Sequence, residues 1–292
     1  MTPARYARLA LAPVISLYVI VLTGAAVRLT GSGLACESWP GCQEGAFFPA
    51  VGEHSTIEFG NRVMALFPIG LSLAAWLAST RTAGLARWVI WTTAFTFVGT
   101  IAQAPLGLLT IRLDLHPLMV ATHFLLALIV LATATVAAVE AWGNAHGRVE
   151  PAPRWLRLVG LVLALACGVL VVTGTLSTAA GPHPGDSAEI QRFWNLLDAV
   201  YLHVRATAVF GISFLLLLIW LARNRERAGV LGPWAAGLLV LLLVQMGVGE
   251  LQWRNQLPWW LVLIHVGLAA AVWAWTVGLV TALWRTPRRM TA

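Results

Sequence analysis

The segment IAQAPLGLLTIRLDLHPLMVATHFLLA (101–127) lines up without gaps on LVQMGVGELQWRNQLPWWLVLIHVGLA (243–269). Gln103 falls on Gln245, Gly107 on Gly249, Arg112 on Arg254 and His123 on His265, each pair 142 residues apart. Carried back one helix, the same offset sets His203 against Asn61. Earlier still, VLTGAAVRLTGSG (21–33) resembles VVTGTLSTAAGPH (171–183) at an offset of 150, so the outer loop of the first copy is longer by about eight residues. Self-similarity at a fixed offset marks a duplicated unit.

Composition says what kind of unit. Of 292 residues, 59% are hydrophobic and 11% charged, against about 25% charged in a soluble domain. Eight apolar runs recur, over 9–29, 57–79, 86–109, 117–139, 155–178, 194–222, 231–251 and 258–284. Each is long enough to cross a hydrocarbon core of about 30 Å. The expected fold is an all-α membrane protein whose eight transmembrane helices form two tandem four-helix bundles, 1–142 with a long outer loop at 30–56, and 143–292. Four spans return the chain to the same side. The halves should therefore be related by a pseudo-twofold axis along the membrane normal. The first run is too long, and too poor in a cleavage site, for a removed signal peptide.

The formal charge of +7 reads as topology once it is mapped. Arg5, Arg8, Arg81, Arg87, Arg148, Arg154, Arg157, Arg223, Arg225, Arg227, Arg285, Arg288 and Arg289 fall at one set of helix ends. Glu37, Glu44, Glu53, Asp114, Asp186 and Glu189 fall at the other. Basic residues stay on the cytoplasmic side. Both termini are thus expected inside the cell membrane and the 30–56 loop outside, with a lipid bilayer and not nucleic acid as the surroundings.

Cys36 and Cys42, in CESWPGC, face an oxidising compartment in that topology. A disulfide there would contribute roughly 2 kcal/mol through loop entropy. The alternative, a metal pair, needs two further ligands, and His54 is the obvious local one. Cys167, mid-helix among Leu, Ala and Val, reads as packing.

The histidine in LVLIHVGLAAAV (261–272) raises the functional question, because an ionisable group at hydrocarbon depth is expensive to insert. His203 lies about nine residues into the sixth run and His265 about seven into the eighth. At 1.5 Å per residue both are roughly 10–14 Å below the outer surface. Two imidazoles at matched depth on different helices of one bundle are the arrangement that ligates a haem iron axially. The alternative is that each ring simply hydrogen-bonds a neighbouring helix. Haem propionates also need cations near the surface. Arg112, Arg254, Arg28, Arg62 and Arg205 stand near outer helix ends, suited to forking onto a carboxylate or to reaching lipid headgroups. For Arg62 and Arg205, pairing between helices is a further option.

The halves differ at one critical position. TIEFGNRVMA (56–65) offers Asn61 where the second half offers His203, and adds Glu58 three residues earlier, on the same helix face. One half has two strong iron ligands; the other has His123, an amide and a carboxylic acid. A doubly ligated haem suits electron relay, whereas a haem with one strong ligand beside an acid suits chemistry.

Here VRLTGSGLACESWPGC, the EFGNR segment, GPHPGD (181–186) and the two Q-x3-G…H helices together resemble the haem A synthase family across essentially the whole chain. The resemblance implies an eight-span enzyme that oxidises the C8 methyl of haem O to a formyl group, by two hydroxylations and loss of water, giving haem A for cytochrome oxidase. It implies a b-type haem on His203 and His265, a functional cysteine pair at Cys36 and Cys42, and a substrate haem handled by His123 with Glu58 as the required acid. Implied partners are haem O, a haem O synthase that supplies it, and a membrane or soluble electron donor. Many members have histidine in an E-x-x-H-R pattern where this chain has Asn61; His54 and His116, seven residues before Asn61 and His123, are conceivable substitutes. The rival readings are a haem-binding electron carrier or haem-handling protein without catalysis, and a membrane chaperone whose histidines are helix glue.

Overall fold

The computed structural model describes residues 1–148, 151–186, 192–224, 229 and 231–285. Of the mapped charges, Glu189, Arg225, Arg227, Arg288 and Arg289 lie outside the described residues. The chain forms α1 (Pro3–Leu9), α2 (Leu11–Leu29), α3 (Glu53–Met64), α4 (Leu66–Ser79), α5 (Arg87–Arg112), α6 (Pro117–His146), α7 (Arg154–Ala180), α8 (Leu196–Arg223), α9 (Leu231–Arg254) and α10 (Trp259–Trp284). Helices α1 and α2 run as one span, Pro3–Leu29, and α3 and α4 as another, Glu53–Ser79, so that eight helices are long and apolar enough to cross a membrane. These are the eight apolar runs, extended at half of their ends.

Both interruptions have the same cause. Proline lacks an N–H and cannot bond the carbonyl four residues back. Pro13 therefore frees the carbonyl of Leu9, where α1 ends, and Pro68 frees that of Met64, where α3 ends.

The turns joining α5 to α6 and α9 to α10 repeat each other. Asp114 and Leu115 have φ of 49° and 53°, and Gln256 and Leu257 have 61° and 59°. In each turn the second residue returns its N–H to a carbonyl five back, Leu115 to Thr110 at 3.0 Å and Leu257 to Gln252 at 2.8 Å, closing the helix end with left-handed residues. Neighbours hold both turns. Leu115 packs on Gly33 and Gly185, and His183 Nε2 donates to the Leu257 carbonyl at 2.7 Å.

Helices α2, α4, α5 and α6 pack around one centre; α7 packs on α8 and α10, and α9 on α10. Among the described residues, α3 does not pack against α6, nor α8 against α10, and α8 barely meets α9. Between the halves, α10 lies on α2 and α6, burying Leu17, Val21, Leu128, Leu131 and Ala270, while Trp273 Nε1 donates to the Leu128 carbonyl at 2.8 Å. At the arginine-rich end, buried Glu140 of α6 pairs with Arg148 at 2.7 Å and Arg285 at 3.2 Å. One carboxylate thus ties the connection between halves to the end of the last helix.

Candidate functional site

His203 lies seven residues after the start of α8, His265 and His123 six after the starts of α10 and α6, and Asn61 eight after the start of α3. At about 1.5 Å per residue each lies roughly 9–12 Å beyond the start of its helix. His203 and His265 approach to a ring-centroid distance of 6.4 Å with planes 75° apart. Their helices do not pack on each other, so the rings span the gap.

Each ring is oriented from a neighbouring helix. His203 Nδ1 is 3.1 Å from the Leu170 carbonyl and 3.2 Å from Thr173 Oγ1. A carbonyl only accepts, so Nδ1 carries the proton and Nε2 keeps its lone pair. Gln245 Nε2 donates to His265 Nε2 at 3.2 Å and to the His265 carbonyl at 3.1 Å. The Nδ1 of His265 is buried and has no partner among the described residues. In the first half Gln103, with its amide oriented to satisfy its neighbours, donates to His123 Nδ1 at 3.2 Å and accepts from Ala127 N at 3.0 Å. Asn61 Oδ1 accepts from Thr23 Oγ1 at 2.7 Å. The rings also rest on glycines: a Cβ built on Gly174 would come 2.9 Å from His203 Cε1, on Gly249 3.1 Å from His265 Cε1, and on Gly107 3.4 Å from His123 Cε1.

Sequence reasoning does not assign these residues to the histidines they hold. Gln103, Gln245, Gly107 and Gly249 are nonetheless visible in the aligned repeat, and recurrence of a polar side chain four residues before a glycine is the signal that finds them.

Glu58 is 4% exposed. Its Oε1 meets Arg62 at 2.5 Å and its Oε2 accepts from Cys36 N at 2.8 Å. Arg62 continues to the carbonyls of Ser38, at 2.7 Å, and Gly41. Cys36 and Cys42 form a disulfide and pack on Phe59. The acid, its arginine and the disulfide loop therefore make one clasp on α3. The remaining expected cations stand apart from it. Arg112 and Arg205 are exposed, and Arg254 pairs with Glu250 at 2.6 Å in the open. Arg28 donates to the Thr178 carbonyl at 2.6 Å, linking α2 to α7. His54 Nδ1 is 2.8 Å from Ser32 Oγ, and His116 is exposed ahead of α6.

Eight helices able to cross a membrane, with two imidazoles facing each other between them and a buried carboxylate clasped to a disulfide loop, define a polytopic helical membrane protein. The chain matches the family COX15-CtaA, described as Cytochrome oxidase assembly protein, over residues 7–56 and 50–277. It belongs to that family. It is similar to the protein named Heme A synthase of Symbiobacterium thermophilum, 29% identical over 272 residues covering 87% of each chain. Shorter stretches resemble the Heme A synthases of Bacillus licheniformis, 33% identical over 116 residues (39% of this chain, 38% of that one), and Geobacillus thermodenitrificans, 44% over 48 residues (16% and 15%).

Proposed function

We propose that this protein oxidises the C8 methyl of haem O to a formyl group, yielding haem A, and that its halves, 1–142 and 143–292, divide the work. The observation that carries the reading is an asymmetry in a member of this family: an imidazole pair in one half, and in the other a single imidazole, an amide and a buried carboxylate. The second half would hold a b-type haem between His203 and His265. A metal–imidazole bond is about 2.0 Å, so two rings that held one metal ion between them would have centroids roughly 6 Å apart. The observed 6.4 Å fits, as does the lone pair left on His203 Nε2; His265 would exchange its Gln245 contact at Nε2 for the metal. Bound there, haem supplies electron relay.

The first half would hold haem O as substrate on His123, with Gln103 fixing that ring. With dioxygen as oxidant, each of two successive hydroxylations takes one oxygen atom, two electrons and two protons, turns one C–H bond of the methyl into C–OH and releases one water; the geminal diol then loses water to leave the aldehyde. Glu58 would hold or move a proton near the reacting edge, and its bond to the Cys36 N–H couples it to the outer loop. Haem O from a synthase in the same cell membrane, and electrons from a membrane or soluble donor, complete the scheme, with both termini cytoplasmic.

Expression with a source of haem O, followed by chromatography of extracted pigment, tests the reading. Haem A is expected beside haem B. Haem B alone, with haem O recovered unchanged, overturns it.

A further inference from the structure

We infer that the first half carries a binding site for a small neutral diatomic molecule, dioxygen being the class member relevant to an oxidation, on the haem face opposite His123, and that Asn61 is the residue that keeps this face accessible. The inference rests on the proposed function and deepens it.

Three of the four repeat-related positions are built alike. An imidazole reaches from one helix, lies on a glycine of the next, and is held by a polar side chain beside that glycine: His203 on Gly174 with Thr173, His265 on Gly249 with Gln245, His123 on Gly107 with Gln103. The fourth keeps the cradle and changes the occupant. Thr23 and Gly24 stand 150 residues before Thr173 and Gly174, and Asn61 stands 142 before His203. Thr23 Oγ1 still reaches across, to Asn61 Oδ1 at 2.7 Å, as Thr173 reaches His203. But a Cβ on Gly24 meets no protein atom within 4 Å, whereas on Gly174 it would strike the imidazole at 2.9 Å. The amide does not rest on Gly24 as the imidazole rests on Gly174, and the space over Gly24 is open.

The chemistry agrees with the geometry. A carboxamide oxygen is a poor ligand for iron beside imidazole, and this one already accepts from Thr23. The Asn61 N–H2 group has no acceptor among the described residues, so two donors remain for a bound diatomic, and distal donors with steric access decide whether haem binds such a molecule. The other first-half histidines do not fill the cradle: His54 is tied to Ser32, and His116 is exposed ahead of α6.

The test uses the full chain in detergent, loaded with haem in both halves, reduced and titrated with carbon monoxide as probe. Wild type is expected to take one carbon monoxide per two haems, with a high-spin and a low-spin signal in equal amounts. Asn61→His should rest on Gly24, convert the high-spin signal to low-spin, and abolish carbon monoxide binding while the His203/His265 signal stays. Gly24→Leu, which enters open space, should keep both haems and weaken carbon monoxide about tenfold or more. Two low-spin haems in wild type, or Asn61→His binding carbon monoxide like wild type, overturn the inference. If wild type refuses carbon monoxide yet still makes haem A, only this inference falls. If the first half takes up no haem at all, the proposed function falls with it.

Discussion

Adding one methyl group beneath each histidine gives a graded test of the cradles. Carbon atoms in good contact stand about 3.5–4.0 Å apart. A Cβ at residue 174 would be 2.9 Å from His203 Cε1, so the ring must retreat by about 0.6 Å or more. The corresponding distance at residue 249 is 3.1 Å, requiring about 0.4 Å, and at residue 107 it is 3.4 Å, requiring only about 0.1 Å. Metal–ligand distances tolerate roughly ±0.2 Å. Gly174→Ala and Gly249→Ala therefore exceed the tolerance and Gly107→Ala does not. The first two should convert the low-spin haem signal of the second half toward high spin and lower haem affinity by about 10–100-fold, the usual effect of disturbing what orients a ligand. Gly211→Ala is the control. It lies on α8 with His203, and no protein atom comes within 4 Å of its added Cβ; it should stabilise the helix by up to about 1 kcal/mol and leave the spectrum alone. Optical and electron-paramagnetic spectra of the four purified variants, with a haem titration of each, decide the matter. If Gly174→Ala and Gly249→Ala match Gly211→Ala, the histidines are not confined as ligands and the second-half haem site is wrongly placed.

His265→Ala should lose the low-spin b-type signal outright, and an unchanged optical spectrum would refute the ligand assignment. Glu58→Gln removes the counter-charge of Arg62 in a buried pair, a break that costs about 3–5 kcal/mol. Both haems should stay bound while haem A formation stalls; a normal yield of haem A on pigment chromatography would remove Glu58 from the reaction. Cys42→Ser should lower stability by about 2 kcal/mol, seen as a shift in thermal unfolding, and an unshifted midpoint would mean that the clasp of Glu58 and Arg62 holds the loop alone. Glu140→Gln leaves Arg148 and Arg285 without their shared carboxylate and, since both arginines can reach solvent, should cost about 1–2 kcal/mol in the same assay with haem signals intact; a wild-type midpoint would show that the cluster bears no weight.

The spans are legible in the sequence because the bilayer demands about twenty apolar residues per helix, and that demand is local. The breaks at Leu9 and Met64 are less so: each lies four residues before a proline, yet α5 runs unbroken past Ile101, four residues before Pro105. Arg62 is different. Its partner Glu58 is visible at i,i+4, but the carbonyls of Ser38 and Gly41 that it also holds belong to a loop whose path no spacing rule predicts. The sequence therefore offers a propionate cation where the structure has a loop clasp. Thr23 and Thr173 are hidden for the same reason, because a hydroxyl in a helix ordinarily bonds its own i−4 carbonyl and only the neighbouring helix reveals a second role.

Duplication makes up part of this deficit, because each half serves as the control for the other. A left-handed pair at Asp114–Leu115 would be a curiosity alone; recurring at Gln256–Leu257, it shows that the turn geometry belongs to the unit and not to a local accident. By the same logic a difference between copies carries more weight than any single residue. Thr23 and Gly24 keep the form of an imidazole cradle, and the imidazole is absent only where Glu58 and the disulfide loop have been added next to it. A merely decayed ligand site would be expected to lose its cradle along with its ring. Retaining the hydroxyl and the glycine while exchanging histidine for asparagine is what the proposed reacting site would require: one strong ligand from His123 and room opposite it.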